Sequence, residues 1–232
     1  MDNWLERATL FKGEVFPQQS ALYQRLASDG QTPKALMISC ADSRVVPEQI
    51  TQALPGDLFV CRNAGNIVPP FQTMNGGVSS AVEYAVVALG VRDIVVCGHS
   101  DCGAMKAFRN PKALEAMPNV AAWLRHAHAA HCVVCAAYDD LDDAAAARAT
   151  ALENVAMQIN HLRTHPSVAS AIARGELTLH GWFFDIETGE ILALDGDTGQ
   201  FKSADAEGRL PVALAPTRRV AAPEMMIRYA AE

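Results

Sequence analysis

Two short stretches carry side chains that could do chemistry together. Cys40-Ala41-Asp42-Ser43-Arg44 offers a thiol, a carboxylate and a guanidinium; Gly98-His99-Ser100-Asp101-Cys102-Gly103 offers an imidazole and a second thiol. Thiolate and imidazole are the borderline-soft donors that zinc prefers. A His-x-x-Cys step leaving a strand can present both side chains to one ion while Cys40 reaches it from a neighbouring strand. Three protein ligands leave a fourth position open, and an open position distinguishes a catalytic zinc from a closed structural one, because water held there has its pKa lowered to about 7. Two thiolates would neutralise the ion's formal charge and weaken its pull on water, so such a site needs help from its surroundings. Asp42 and Arg44 could supply it, with two opposite outcomes: the carboxylate takes the fourth position itself, or it pairs with Arg44 and accepts a hydrogen bond from a zinc-bound hydroxide. Each feature alone has a plainer reading. GHSDCG can be a polar turn, Asp42 and Arg44 a surface ion pair worth at most about 1 kcal/mol, and Cys40 a small buried hydrophobe. The two stretches together favour the metal.

The elements that must position these residues can be read from the apolar runs. Ala35-Leu36-Met37-Ile38 follows Pro33 and ends at Cys40; Asp93-Ile94-Val95-Val96-Cys97 is β-branched and ends at His99. Both read as buried strands with polar clusters at their carboxyl ends. Leu58-Phe59-Val60-Cys61 is a third strand after the turn signal Pro55-Gly56, and Gly77 to Leu89 a helix with Val78, Val82, Ala85, Val86 and Leu89 on one face. Strands alternating with helices imply an α/β fold with a mostly parallel central sheet flanked by helices, whose ligands bind outside the carboxyl ends of the strands. That geometry brings Cys40 and His99 together. Pro118 to Ala137 and Asp142 to Thr164 read as alanine-rich helices, and Leu177–Phe184 with Ile191–Leu194 as a late antiparallel hairpin at the sheet edge. From Asn3 to Asp29 apolar residues recur at helical spacing, broken by Pro17, which reads as an N-terminal helical arm over residues 1–30. No internal repeat or linker divides the chain, so one domain over 1–232 is expected.

Composition narrows the function classes. A formal charge of −7, with no basic stretch, argues against nonspecific nucleic-acid binding. The beginning of the chain carries acidic residues and no apolar core run, and reads as mature sequence with a cytoplasmic address. No run approaches the roughly 18 apolar residues of a membrane helix. Six cysteines without an export signal favour metal or thiol chemistry over a disulfide framework.

CADSR, followed by Phe59-Val60-Cys61-Arg62-Asn63, Glu83-Tyr84-Ala85 and GHSDCG, resembles the β-class carbonic anhydrases in order and spacing, over most of the chain from about Gln31 to Asp185. C-x-D-x-R with H-x-x-C about sixty residues later is that family's zinc signature. The resemblance implies one zinc per chain on Cys40, His99 and Cys102, with Asp42 and Arg44 as the dyad that orients the hydroxide. The implied reaction is carbon dioxide plus water to bicarbonate plus a proton. It also implies an apolar substrate pocket at a dimer interface formed by Gln31, Phe59 and Tyr84, with the backbone N–H of Gly103 as a donor and Gln31 from the partner subunit. A homodimer is expected, a tetramer or larger assembly being compatible. Members that close the site with the aspartate carry a tryptophan where this chain has Met37 and a glycine where it has Ser39; Gln31 instead resembles the plant-like, open group. An open site is therefore expected. The late segment His180–Gly189 resembles bacterial members linked to cyanate metabolism.

The remaining candidates read as structural. His126, His128, His131, Cys132 and Cys135 fall inside a predicted helix, where His128, Cys132 and Cys135 share a face and weak adventitious metal binding is conceivable. Cys61 and Cys97 fill core space, and Asp101 reads as a bystander in its turn. His161, His165 and His180 read as surface or structural histidines, though one near the site mouth could shuttle protons to buffer, and the sequence does not select it or assign Glu83 and Asp185. Two other functions compete with carbon dioxide hydration: hydrolysis of carbon disulfide or carbonyl sulfide on the same scaffold, and zinc binding without turnover as an assembly module.

Overall fold

The structure is a computed structural model that describes residues 3–72, 76–138 and 140–204. Its centre is a sheet of six strands: β1 (Ala35–Cys40), β2 (Leu58–Asn63), β3 (Asp93–His99), β4 (Thr178–Phe184), β5 (Ile191–Leu194) and β6 (Phe201–Ser203), in the order β2-β1-β3-β4-β5-β6. The first four are parallel, and β5 and β6 add an antiparallel edge. The short strand β6 extends the expected late hairpin to a three-stranded meander. The single-domain expectation over 1–232 includes residues 205–232, which lie outside those described.

The parallel strands carry buried apolar residues on both faces. On one face Leu36, Ile38, Ile94, Val96 and Leu179 pack beneath three helices and form the main core. On the other, Met37, Val95 and Cys97 form a smaller cluster with Val60, Trp182 and Phe184.

Among the described residues there are ten α-helical segments: α1 (Trp4–Leu10), α2 (Phe16–Asp29), α3 (Pro47–Thr51), α4 (Gly77–Glu83), α5 (Gly103–Lys106), α6 (Pro111–Glu115), α7 (Pro118–Leu124), α8 (His128–Ala137), α9 (Asp143–Thr164) and α10 (Pro166–Ala173). The long α9 does most to place the site. Asp142 caps it by accepting from the Ala145 N–H at 2.7 Å. Its buried face runs Ala147, Ala151, Val155, Ile159 and Leu162, one residue per turn, against the sheet. Helix and sheet approach closely because β3 and β4 offer glycines there. A Cβ on Gly98 would stand 2.7 Å from Val155 Cγ2, and one on Gly181 would stand 3.0 Å from Val155 Cγ1.

The N-terminal arm is helical as expected, but Pro17 does not break it. A π-helical stretch, Phe11–Val15, precedes α2 and places Pro17 in the first turn, where its missing N–H costs nothing. Among the described residues of the arm, none of Trp4–Asp29 is buried. Phe11, Phe16 and Tyr23 cluster on one another, Trp4 and Leu5 are 71% and 77% exposed, and Leu26 touches the turn at Gly56.

Candidate metal centre

Because β1 and β3 are parallel neighbours, with Ser39 opposite Cys97, their last residues Cys40 and His99 both fall at the carboxyl edge of the sheet, His99 one rung beyond Cys40. Cys102 follows as the residue that opens α5. The three ligand atoms lie within 4.8 Å of one another, and all three residues are buried. Among the described residues this is the one group of three or more His, Cys, Asp or Glu side chains that converges in this way.

Local hydrogen bonds fix each donor. His99 Nδ1 lies 2.7 Å from the Ser100 carbonyl, which can only accept, so Nδ1 carries the proton and Nε2 presents its lone pair. That Nε2 is buried and has no hydrogen-bond partner. An orphaned buried nitrogen beside two thiols is what a metal ion would satisfy. Cys40 Sγ accepts from the backbone N–H of Gly65 at 3.3 Å. A hydrogen bond from Cys102 holds the Cys40 thiol down at about 4, while the same contact and burial push the Cys102 thiol up. A cation placed between the two sulfurs would be bound by thiolates, and its binding would release their protons. The donor set of two thiolates and one neutral imidazole fits zinc.

Asp42 leaves β1 just past Cys40, and Arg44 encloses it. Arg44 donates from Nε to Asp42 Oδ1 at 2.9 Å and from Nη2 to Oδ2 at 2.7 Å, and its backbone N–H adds a third bond to Oδ1 at 3.0 Å. These bonds hold the Asp42 carboxyl well below the usual carboxylate range. Arg62 secures the same backbone by donating to the carbonyls of Cys40 and Asp42. Asp101 is not the bystander expected from its position. It accepts from Arg44 Nη1 at 2.8 Å and from Lys106.

Residues without a sequence signal of their own support the thiolate. The loop after β2 is closed by Asn63, whose side chain accepts from the Ile67 N–H at 2.7 Å and donates to the Ile67 carbonyl at 2.9 Å. Asn154 on α9 donates to the Gly65 carbonyl at 3.0 Å, and Trp123 Nε1 to the Ala64 carbonyl at 2.9 Å. These bonds aim the Gly65 N–H at Cys40. Gly65 has φ +79°, a left-handed conformation that favours glycine, and a Cβ there would also stand 3.1 Å from Ala104 Cβ.

The expected pocket residues are divided. Gly103 begins α5 beside the centre, with open space where a Cβ would be. Phe59 and Tyr84 meet each other, with ring centroids 5.9 Å apart, but Phe59 pairs with Leu36, four rungs from Cys40. At the rise of a strand that is about 13 Å. Gln31 precedes β1 and is exposed. Within one chain, then, Gln31, Phe59 and Tyr84 do not reach the metal centre. The histidine and cysteine run 126–135 forms two separate pairs, His128 with Cys132 and His131 with Cys135, each with a nitrogen 3.5 Å from sulfur. His126 packs against Trp123 instead.

Comparison with known proteins gives the same reading. A family model described as carbonic anhydrase matches residues 35–191. The chain is 53% identical to a carbonic anhydrase of Pseudomonas aeruginosa over 83% of its length and 87% of the relative's. It is 50% identical to carbonic anhydrase 1 of Escherichia coli O157:H7 over 86% and 90%. Among solved structures, the β-carbonic anhydrase CcaA superposes with a TM-score of 0.83 at 42% identity, over 90% of this chain and 93% of that one. A tetrameric β-carbonic anhydrase from Sordaria macrospora superposes with 0.72 at 31% identity, over 86% and 96%. With two relatives near or above half identity across most of their length, this chain belongs to the β-class carbonic anhydrases.

Proposed function

We propose that the chain hydrates carbon dioxide reversibly to bicarbonate and a proton at the Cys40, His99 and Cys102 cluster, with one zinc held by those three side chains. When bound, zinc supplies the Lewis acidity that brings the pKa of a water molecule to about 7. The chain's own residues do the rest. Arg44 keeps Asp42 ionised and turned toward the guanidinium, so that the carboxylate can accept a proton-side hydrogen bond from the attacking water and orient its lone pair toward carbon. The Gly103 N–H is free to donate to the substrate oxygen that gains charge during attack. The observation that carries this reading is the three-point grip of Arg44 on Asp42, which supports an open fourth position over one capped by the carboxylate.

A linear, weakly polar substrate needs apolar walls, and Gln31, Phe59 and Tyr84 are too far away in their own chain to supply them. In this reading they reach the centre from the partner subunit of a homodimer. The exposed apolar arm, on which Trp4 and Leu5 stay largely exposed to solvent among the described residues, supports such an assembly, and dimers can build further, as in the tetrameric Sordaria relative. Among the described residues no helix is long and apolar enough to cross a membrane. The free cysteines fit a reducing compartment and so a cytoplasmic location.

Stopped-flow carbon dioxide hydration tests the reading. The zinc-loaded protein should exceed buffer by many orders of magnitude between about pH 7 and 9, and Asp42→Asn and Arg44→Gln should each lose about 100-fold or more in kcat. A zinc-loaded chain no faster than buffer overturns the reading and leaves a zinc-binding module or another triatomic substrate.

A further inference from the structure

Arg44 has five N–H bonds to give, and Asp42 takes one from Nε and one from Nη2. The opposite side of the guanidinium is held by Asp101. Its Oδ2 accepts from Nη1 at 2.8 Å, and its backbone carbonyl accepts from Nη2 at 3.3 Å. The second carboxylate oxygen, Oδ1, accepts from Lys106 Nζ. A line of alternating charge therefore runs from Lys106 through Asp101 and Arg44 to Asp42. Lys106 ends the same short helix that Cys102 opens, so the line ties the dyad to the element beside the metal centre. Asp101 has φ +58°, a left-handed conformation in which its carbonyl and its carboxylate both face Arg44.

Behind Arg44 lies a cleft of about 400 Å³, lined by Ser100, Lys106, Arg148 and Asp185 among others. It has room for a guanidinium, and Arg44 forms part of its wall. Two carboxylates pulling from opposite sides hold Arg44 in its present rotamer; with one removed, the cleft offers it a second place to go. We propose that Asp101, itself anchored by Lys106, is a positioning residue that keeps Arg44 on Asp42. Without it, Arg44 turns into the cleft and Asp42 is released toward the metal ligands. This inference rests on the role given to Asp42 above.

The plain alternative is that Asp101 only suits a left-handed turn. Asn adopts that conformation as readily as Asp, so Asp101→Asn keeps the turn and removes the charge. We expect Asp101→Asn to lower kcat about three- to tenfold with zinc content unchanged, short of the loss in Arg44→Gln because Arg44 then divides between Asp42 and the cleft. Lys106→Met should shift kcat in the same direction by less, and Lys106→Arg should restore it. In an Arg44→Gln background, Asp101→Asn should cost nothing further, because its effect passes through Arg44. A crystal structure of Asp101→Asn should show Arg44 displaced from Asp42. Parental kcat in Asp101→Asn, or an equal loss in the Arg44→Gln background, overturns the proposal, as does an Arg44 still bidentate on Asp42 in the variant crystal. If the parent protein itself hydrates no carbon dioxide, the functional reading fails, while the crystal comparison still decides the brace.

Discussion

Gly98 stands immediately before the candidate ligand His99, and its hydrogen is where α9 rests on β3. Gly98→Ala is therefore a local perturbation of packing with a consequence for the metal. The added Cβ would lie 2.7 Å from Val155 Cγ2 and 3.4 Å from the Ala151 carbonyl, whereas carbons in contact settle at about 3.5–4.0 Å. Roughly 1 Å must open. Val155 is fully buried, and a β-branched side chain in a helix has one strongly preferred rotamer, so it cannot swing aside. Strand or helix must move instead, and overpacking of this kind costs about 1–3 kcal/mol. Val155→Ala alone should cost about 1–3 kcal/mol through the cavity it leaves. In the double variant each change relieves the other, so the loss should fall short of the sum by about 1 kcal/mol or more. Urea denaturation at fixed protein and zinc concentration measures all four species. Chelator competition should show weaker zinc binding in Gly98→Ala, because His99 moves with the strand. A Gly98→Ala variant with an unchanged midpoint, or strictly additive losses, would refute the claim that this contact sets the distance between α9 and β3.

Other outcomes follow from the same geometry. Asn154→Ala removes the donor to the Gly65 carbonyl and leaves Gln158 without one of its acceptors; we expect a loss of about 1–3 kcal/mol in stability and about tenfold in zinc affinity by chelator competition. An aromatic disulfide reagent should react rapidly with the exposed Cys132 and Cys135 and not with Cys97, whose thiol burial pushes up to about 12; mass spectrometry of the labelled peptides checks this. Asp185 is held below the usual carboxylate range by Arg148 and by the N–H groups of Thr188 and Glu187. Its contribution is present above the unfolded carboxylate pKa of about 4 and is lost as pH falls through its lower folded value. Asp185→Asn should thus narrow the stability gap between about pH 6 and pH 3 by under about 1 kcal/mol, read as the difference from the parent in denaturation series at each pH.

How much was legible beforehand depended on the range of the interaction. The strands β1 and β3 announced themselves as β-branched or apolar runs with polar ends, and parallel topology then required Cys40 and His99 to meet. The helix from Asp142 to Thr164 was also a local signal, legible as an alanine-rich run. The Gly65 N–H on Cys40 was not, because a backbone donor has no residue type, and Asn154 and Trp123 support it from far along the chain. Asp101 was passed over for a related reason. Its neighbours in sequence explain a turn, and its bonds to Arg44 and Lys106 exist only once β1 and β3 are adjacent. Phe59 and Tyr84 show the converse: their pairing is local to the β2 edge, but any part they play at the metal centre depends on a second chain, which one chain's pattern does not contain. Pro17 was read as a break because interior proline ordinarily breaks a helix; the π-helical stretch before it absorbed the misfit.

The central claim is that Cys40, His99 and Cys102 hold zinc while Arg44 holds Asp42 away from it. A crystal structure of the zinc-loaded protein near neutral pH, phased at the zinc absorption edge, tests this most directly. The account predicts one anomalous peak per chain within about 2.0–2.4 Å of the two Sγ atoms and His99 Nε2, with both Asp42 oxygens on Arg44. A peak elsewhere, or an Asp42 carboxylate as the fourth ligand, would contradict it.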